Sequence, residues 1–171
     1  MYAATDAASH RVAARERFAP DHPASRSVKQ RFCGTWKLVS WKIELANGDL
    51  IDTLLGPDPV GQIMYHPEGY MCVALMRPDR PKFASNNVME ATPEEMKAGF
   101  VGYIGYCGSY EVNEEERFVI HRLQMSSFPN LIGTEQKRHF EFEGDRLTLK
   151  MPPLTILGEG QVHRLVWERL G

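Results

Sequence analysis

Gly34-Thr35-Trp36-Lys37-Leu38-Val39-Ser40-Trp41-Lys42-Ile43-Glu44-Leu45 reads as one long β-strand, and Asn47-Gly48 follows two residues later. β-Branched and aromatic residues alternate there with polar ones, which suits a pleated, half-buried surface. The Asn-Gly pair accepts the positive φ angles of a type I′ turn, so a hairpin is expected at the end of this strand.

The same grammar continues downstream. Gly61 to Tyr65 and Tyr70 to Met76 read as strands around His66-Pro67-Glu68-Gly69. Tyr103 to Val112, Phe118 to Met125, Gln136 to Phe142 and Arg146 to Lys150 follow, with turns at Asn113 to Glu116, Phe128 to Gly133 and Gly144-Asp145. Gln161 to Arg169 is the closing strand. One helical signal interrupts the series. Thr92-Pro93-Glu94-Glu95 supplies an N-cap, a Pro in the first turn and a capping-box Glu, predicting a helix over 93–102. Upstream, Ser27 caps a short helix that ends at Phe32.

A flat sheet of about eight or nine strands leaves two open edges, whereas closure removes them and leaves room for one small ligand. The expected fold is therefore an all-β, antiparallel up-and-down barrel occupying residues 27–171. Residues 1–26 lack periodicity and are rich in Ala, Arg, Ser and Pro, which reads as a disordered tail. Arg11, Arg15 and Arg17 suggest a transit peptide as the alternative, which Asp6, Glu16 and Asp21 weaken.

Composition excludes several classes. The 171 residues carry a formal net charge of -2, with no polybasic cluster, so neither nucleic acid nor an anionic membrane is an expected partner. No apolar run approaches the length of a membrane span, and no secretory h-region is visible. The three cysteines, Cys33, Cys72 and Cys107, are odd in number and form no CxxC pair. They read as reduced, small buried hydrophobes, which points to a cytoplasmic protein with neither a disulfide framework nor a zinc site. There is no G-x-S-x-G, no P-loop and no G-x-G-x-x-G opening a helix. His66, His121, His139 and His163 lie on different elements, so no metal and no cofactor is expected.

The G-x-W of Gly34-Thr35-Trp36 resembles the first strand of lipocalins. The likeness extends through Gly34 to Trp41, Tyr65 to Met71, Met76 to Pro81, Thr92 to Glu95, Tyr106 to Tyr110, Phe128 to Asn130 and Leu165 to Arg169. Together these stretches resemble the bacterial and fungal lipocalin-like domain family of calycin-type barrels. The resemblance implies that Trp36 plugs the closed barrel end beneath an Arg of the last strand. Arg164 and Arg169 are the candidates, and Arg169 is taken with Trp36 as the structural base. It also implies a small-molecule site, while similar barrels that catalyse cyclisations leave activity open.

Candidate site residues follow from alternation along strands. His121, Leu123 and Met125 share one face of their strand, which suggests an apolar lumen with one titratable group. Gln136, Arg138, Phe140 and Phe142 share another, opposite the charged set Lys137, His139, Glu141 and Glu143. A buried Arg138 is either an anchor for a carboxylate, enolate or carbonyl, or a structural residue satisfied by protein groups. Tyr106 and Tyr110 share a face with Ile104 and Val112, and Tyr65 and Tyr70 flank a hairpin. Their phenols suit a ligand oxygen or a developing oxyanion, or simple aromatic packing. Met64, Met71, Met76 and Met125 offer an adaptable lining. The catalytic candidates are His121, Arg138 and Tyr106. The ligand-binding candidates are Tyr65, Met76, Tyr110, Leu123, Met125, Gln136 and Phe140.

Three functions remain open. The leading one is binding of a small apolar or amphipathic metabolite, in the service of a secondary-metabolite pathway. The second is a cofactor-free cyclase or isomerase, Diels–Alderase-like, acting on a polyketide-like or terpenoid-like intermediate by shape, water exclusion and a few hydrogen bonds. The third is a solid interaction module. A bulge or a register slip of one residue inverts any of the assigned faces.

Overall fold

Strand β1 (Gly34–Glu44) has eleven residues and serves three neighbours. The computed structural model describes residues 27–151 and 161–171, so the expected N-terminal tail and its transit-peptide alternative lie outside the described residues. The lower part of β1, Gly34 to Lys37, pairs with β3 (Val60–Tyr65). Its upper part pairs with the short β2 (Leu50–Asp52), from Lys42 to Glu44. Along its other edge it pairs with β9 (Val162–Leu170).

Between these lie β4 (Tyr70–Met76), β5 (Tyr103–Asn113), β6 (Phe118–Ser126), β7 (Glu135–Glu143) and β8 (Arg146–Met151). Each is antiparallel to the next, and the β1–β9 pairing closes the ring. The result is a closed eight-stranded up-and-down barrel, with β2 appended where β3 does not reach β1. Closure removes the sheet edges and leaves an interior wide enough for side chains or one small guest.

Helix α1 (Val28–Phe32) seals one end. Ser27 Oγ accepts from the Gln30 amide, and Gln30 Oε1 accepts from the Ser27 amide at 2.9 Å, a complete capping box. The helix drops Phe32, which is fully buried, among Tyr65, Phe140 and Phe142 at ring separations of 5.0–5.1 Å. Helix α2 (Pro93–Val101) lies at the opposite end and starts with the expected Thr92–Glu95 capping box. Arg80 Nη2 donates to the Gly99 carbonyl at 3.1 Å, tying the preceding loop to α2.

Two bulges set the inward faces. Leu38 pairs with Trp167 and Ser40 with Val166, so Val39 is an extra residue in β1. This shift puts both Trp36 and Trp41 inside, although they stand five positions apart. In β6, Leu123 pairs with Gly108 and Met125 with Cys107, leaving Gln124 as the extra residue.

Two expectations are corrected here. The connection at Asn47-Gly48 is not a type I′ turn. Gly48 alone has positive φ there, +86°, and Leu45 N donates to Asp49 O, which describes a longer loop with a left-handed glycine. The cysteines are not all reduced. Cys72 and Cys107 are direct cross-strand partners in β4 and β5, 4.1 Å apart at Cα, and form a disulfide; Cys33 is free. Register, invisible to a count of cysteines, brings them together. Disulfides persist in oxidising surroundings, so the thiol argument for a cytoplasmic location no longer stands.

Candidate functional site

The barrel interior divides into an aromatic floor and a cavity above it. The floor is built on Phe32. Tyr65 and Tyr110 meet edge to face, with ring centroids 4.9 Å apart, and Phe140 packs on Phe32 from the other side. Below, the Arg169 guanidinium carbon stands 4.1 Å over the Trp36 ring. Arg169 also donates to the backbone carbonyls of Cys33 and Arg31, and Trp36 Nε1 donates to Phe32 O at 2.8 Å. Of the two arginine candidates on the closing strand, the structure places Arg169 over Trp36, while Arg164 is paired beside Lys42 and Lys150.

The cavity measures about 300 Å³, within the size range of small-molecule sites. Ile63, Val73 and Leu149 supply apolar wall, Trp41 and Trp167 supply indole faces, and Phe100 of α2 and Phe128 stand at the mouth. Among the described residues the lining contains neither Asp nor Glu. Its polar members include Tyr106, Gln136 and one cationic side chain, Arg138.

Arg138 is 5% exposed. Its Nη1 donates to the Gln136 carbonyl at 3.0 Å, and its Nη2 donates to Tyr106 Oη at 3.1 Å. Both acceptors are uncharged groups, and no ion pair of Arg138 exists among the described residues. Gln136 in turn donates to Thr134 Oγ1 at 2.9 Å. Arg138 and Tyr106 thus hold each other across the lumen, from β7 and β5.

His121 lies behind this pair, fully buried and outside the cavity lining. Its Nε2 is 2.8 Å from Tyr65 Oη, and its Nδ1 has no partner among the described residues. Burial first, and the Arg138 charge second, hold the His121 pKa well below the ordinary imidazole value. Burial likewise pushes the Tyr65 hydroxyl well above the usual phenol range. His121 is therefore a neutral ring at neutral pH.

The ligand-binding candidates separate by position. Leu123 and Gln136 line the cavity; Tyr65, Tyr110 and Phe140 form the floor beneath it. Met76 and Met125 do not face the lumen, being 38% and 60% exposed, and Met64 also points out at 48%. Met71 is buried. For Met125 the cause is the extra residue Gln124, which inverts the alternation after Leu123. For Met76 the inward series is Met71, Val73 and Leu75, which leaves it on the outer face.

Sequence reasoning missed the two indoles, and it named no side chain at the mouth. Trp41 Nε1 donates to His163 Nδ1 at 3.1 Å, which fixes the indole against the cavity. The only sequence signal for Trp41 was its aromatic character, since strict alternation sets it opposite Trp36.

No group of three or more His, Cys, Asp or Glu side chains among the described residues is placed to hold a metal ion. No helix among them is long and apolar enough to cross a membrane.

The family comparison agrees with this architecture. Residues 33–170 match the model of the lipocalin-like domain family. The 4′-hydroxy-3′-methoxypropiophenone carrier protein ppsC of Aspergillus oryzae is 36% identical over 107 residues, covering 58% of this chain and 96% of that protein. Crystal structures of two point mutants of the fluorescent protein UnaG align at TM-scores of 0.36 and 0.37, with 14% and 10% identity. They cover 82% and 83% of this chain and 96% and 98% of theirs.

Proposed function

Because the chain belongs to the lipocalin-like domain family, we propose that its barrel binds and carries a small, largely apolar aromatic metabolite of a secondary-metabolite pathway. The observation that carries this reading is the cavity of about 300 Å³, apolar on most of its wall and provided with a cluster of oriented polar groups. Arg138, Tyr106 and Gln136 are the proposed polar contacts. Trp41, Trp167 and Leu123 are proposed to hold the ring. The relative named as a carrier of an aryl ketone supports the same ligand class.

Carriage is favoured over a cyclase or isomerase by the position of His121. The catalytic reading needs His121 to move a proton near neutral pH, yet the ring is fully buried, outside the cavity lining and held neutral by burial. A solid interaction module is disfavoured by the cavity itself.

The test is titration of the protein with 4′-hydroxy-3′-methoxypropiophenone, followed by the fluorescence of the cavity indoles. Saturable quenching that is lost when Leu123 is replaced by Trp to fill the cavity supports carriage. Absence of quenching by this ketone and by related aryl acids would remove the proposal.

A further inference from the structure

Arg138 has no counter-charge among the described residues, and this says more about the guest than the apolar wall does. A guanidinium stays protonated in proteins, and a buried charge is costly unless a counter-charge or solvent meets it. Arg138 is 95% buried by its 5% exposure, and its two hydrogen-bond acceptors are a backbone carbonyl and a phenol oxygen. The ion pairs among the described residues all lie on the outer surface, between partly exposed groups such as Arg122 with Glu111 and Glu135. While the cavity is open, water can solvate the guanidinium. A neutral guest that fills the cavity displaces that water and supplies no charge in return.

Resting on the reading of the barrel as a carrier, we propose that its guest is bound as an anion, a carboxylate, phenolate or enolate, whose charged oxygen meets Arg138 and Tyr106 just above the aromatic floor while its apolar end faces Phe100 and Phe128. The field at this point is positive. The Arg138 charge contributes to lowering His121 and draws Tyr65 downward against its burial. Among the described residues the titratable groups around Arg138 are Tyr106, Tyr65 and His121, and no carboxylate is among them. An anionic guest completes a charge-assisted, bidentate contact, which is stronger than a neutral one and specific in direction.

The experiment compares para-isopropylbenzoate with para-isopropylacetophenone by calorimetry at neutral pH. The two have the same shape and differ in one charged oxygen against a methyl group. The wild-type protein is expected to bind the benzoate about tenfold tighter or more. Arg138→Met and Arg138→Gln should bring the two affinities to within about threefold, whereas Arg138→Lys should keep the preference. Equal or tighter binding of the ketone by the wild type overturns the inference and leaves the carrier reading standing. A preference that survives in Arg138→Met overturns it too. Failure of the wild type to bind either compound removes the carrier reading and the inference together. The wild-type comparison decides even where a variant fails to fold.

Discussion

Arg138 and Tyr106 join across the lumen, Nη2 to Oη at 3.1 Å, although β6 lies between the strands that carry them. The contact is a strut inside the cavity and the place where charge meets the guest. The two residues should separate in their effects. Tyr106→Phe removes the acceptor but keeps the ring, so the urea midpoint should fall by an amount equivalent to about 1 kcal/mol. Arg138→Met removes a buried charge that has no counter-charge among the described residues, so unfolding stability should hold or rise while affinity for an aryl acid falls. Loss of stability in Arg138→Met, measured by urea unfolding, would mark the arginine as structural instead.

The closed end predicts a different pattern. Trp36 is 1% exposed, donates to Phe32 O and carries Arg169 on its face. Trp36→Ala should cost about 3–5 kcal/mol, as truncation of a large buried aromatic does. Urea denaturation measures it, and a near-neutral result would contradict the plug. Arg169→Ala should also lower the urea midpoint, since it removes a cation–π contact and charged hydrogen bonds to the Cys33 and Arg31 carbonyls from a partly buried side chain.

Most of the barrel was legible in the sequence because each strand is bounded by turn residues. Ser27 declares its helix as an N-cap and Thr92 through a capping box, and the structure completes a capping box at both. The inward placement of Arg138 was legible too, because Lys137, His139 and Glu141 leave no doubt about the outer face of β7. What failed depends on neighbours rather than on local pattern. The extra residue at Gln124 turns Met125 outward, and the one at Val39 brings Trp41 in. Neither bulge has a signature in its own strand. The pairing of Cys72 with Cys107 is likewise a property of β4–β5 register. The mouth residue Phe100 sits on a helix whose face is settled only by the barrel it covers.

The buried histidines give the stability a pH dependence of definite sign. His121 is held below the ordinary value by burial and by Arg138, and His163 is lowered by burial. In the unfolded chain both titrate near about 6.5. Above that pH both states are neutral there and the contribution to stability is complete. As the pH falls through and below it, the unfolded state takes up protons that the folded state refuses, and stability declines. The melting temperature should therefore drop between about pH 7 and pH 5. His121→Gln keeps a partner for Tyr65 without titrating, so its profile should be flatter, with the remaining slope belonging to His163. A wild-type melting temperature that is constant or rises on acidification would refute the assignment.

Gly108 controls the wall of the cavity from behind. It pairs with Leu123 next to the β6 bulge, and a Cβ built on it would lie 1.9 Å from the Arg122 carbonyl oxygen. That oxygen belongs to the backbone, so no side-chain rotation relieves the clash. Gly108→Ala must open the β5–β6 ladder where Leu123 and Tyr106 enter the cavity, and it should cost about 1–3 kcal/mol or more, with weakened guest binding. Gly99 in α2 provides the contrast. A Cβ there meets the tip of the Phe83 ring at 3.2 Å, which can give way, and alanine is the better helix former. Gly99→Ala should be neutral or mildly stabilising. Urea unfolding and aryl-acid affinity measured on both variants check the pair. Equal effects would mean that the close approach at Gly108 does not set the register of β6.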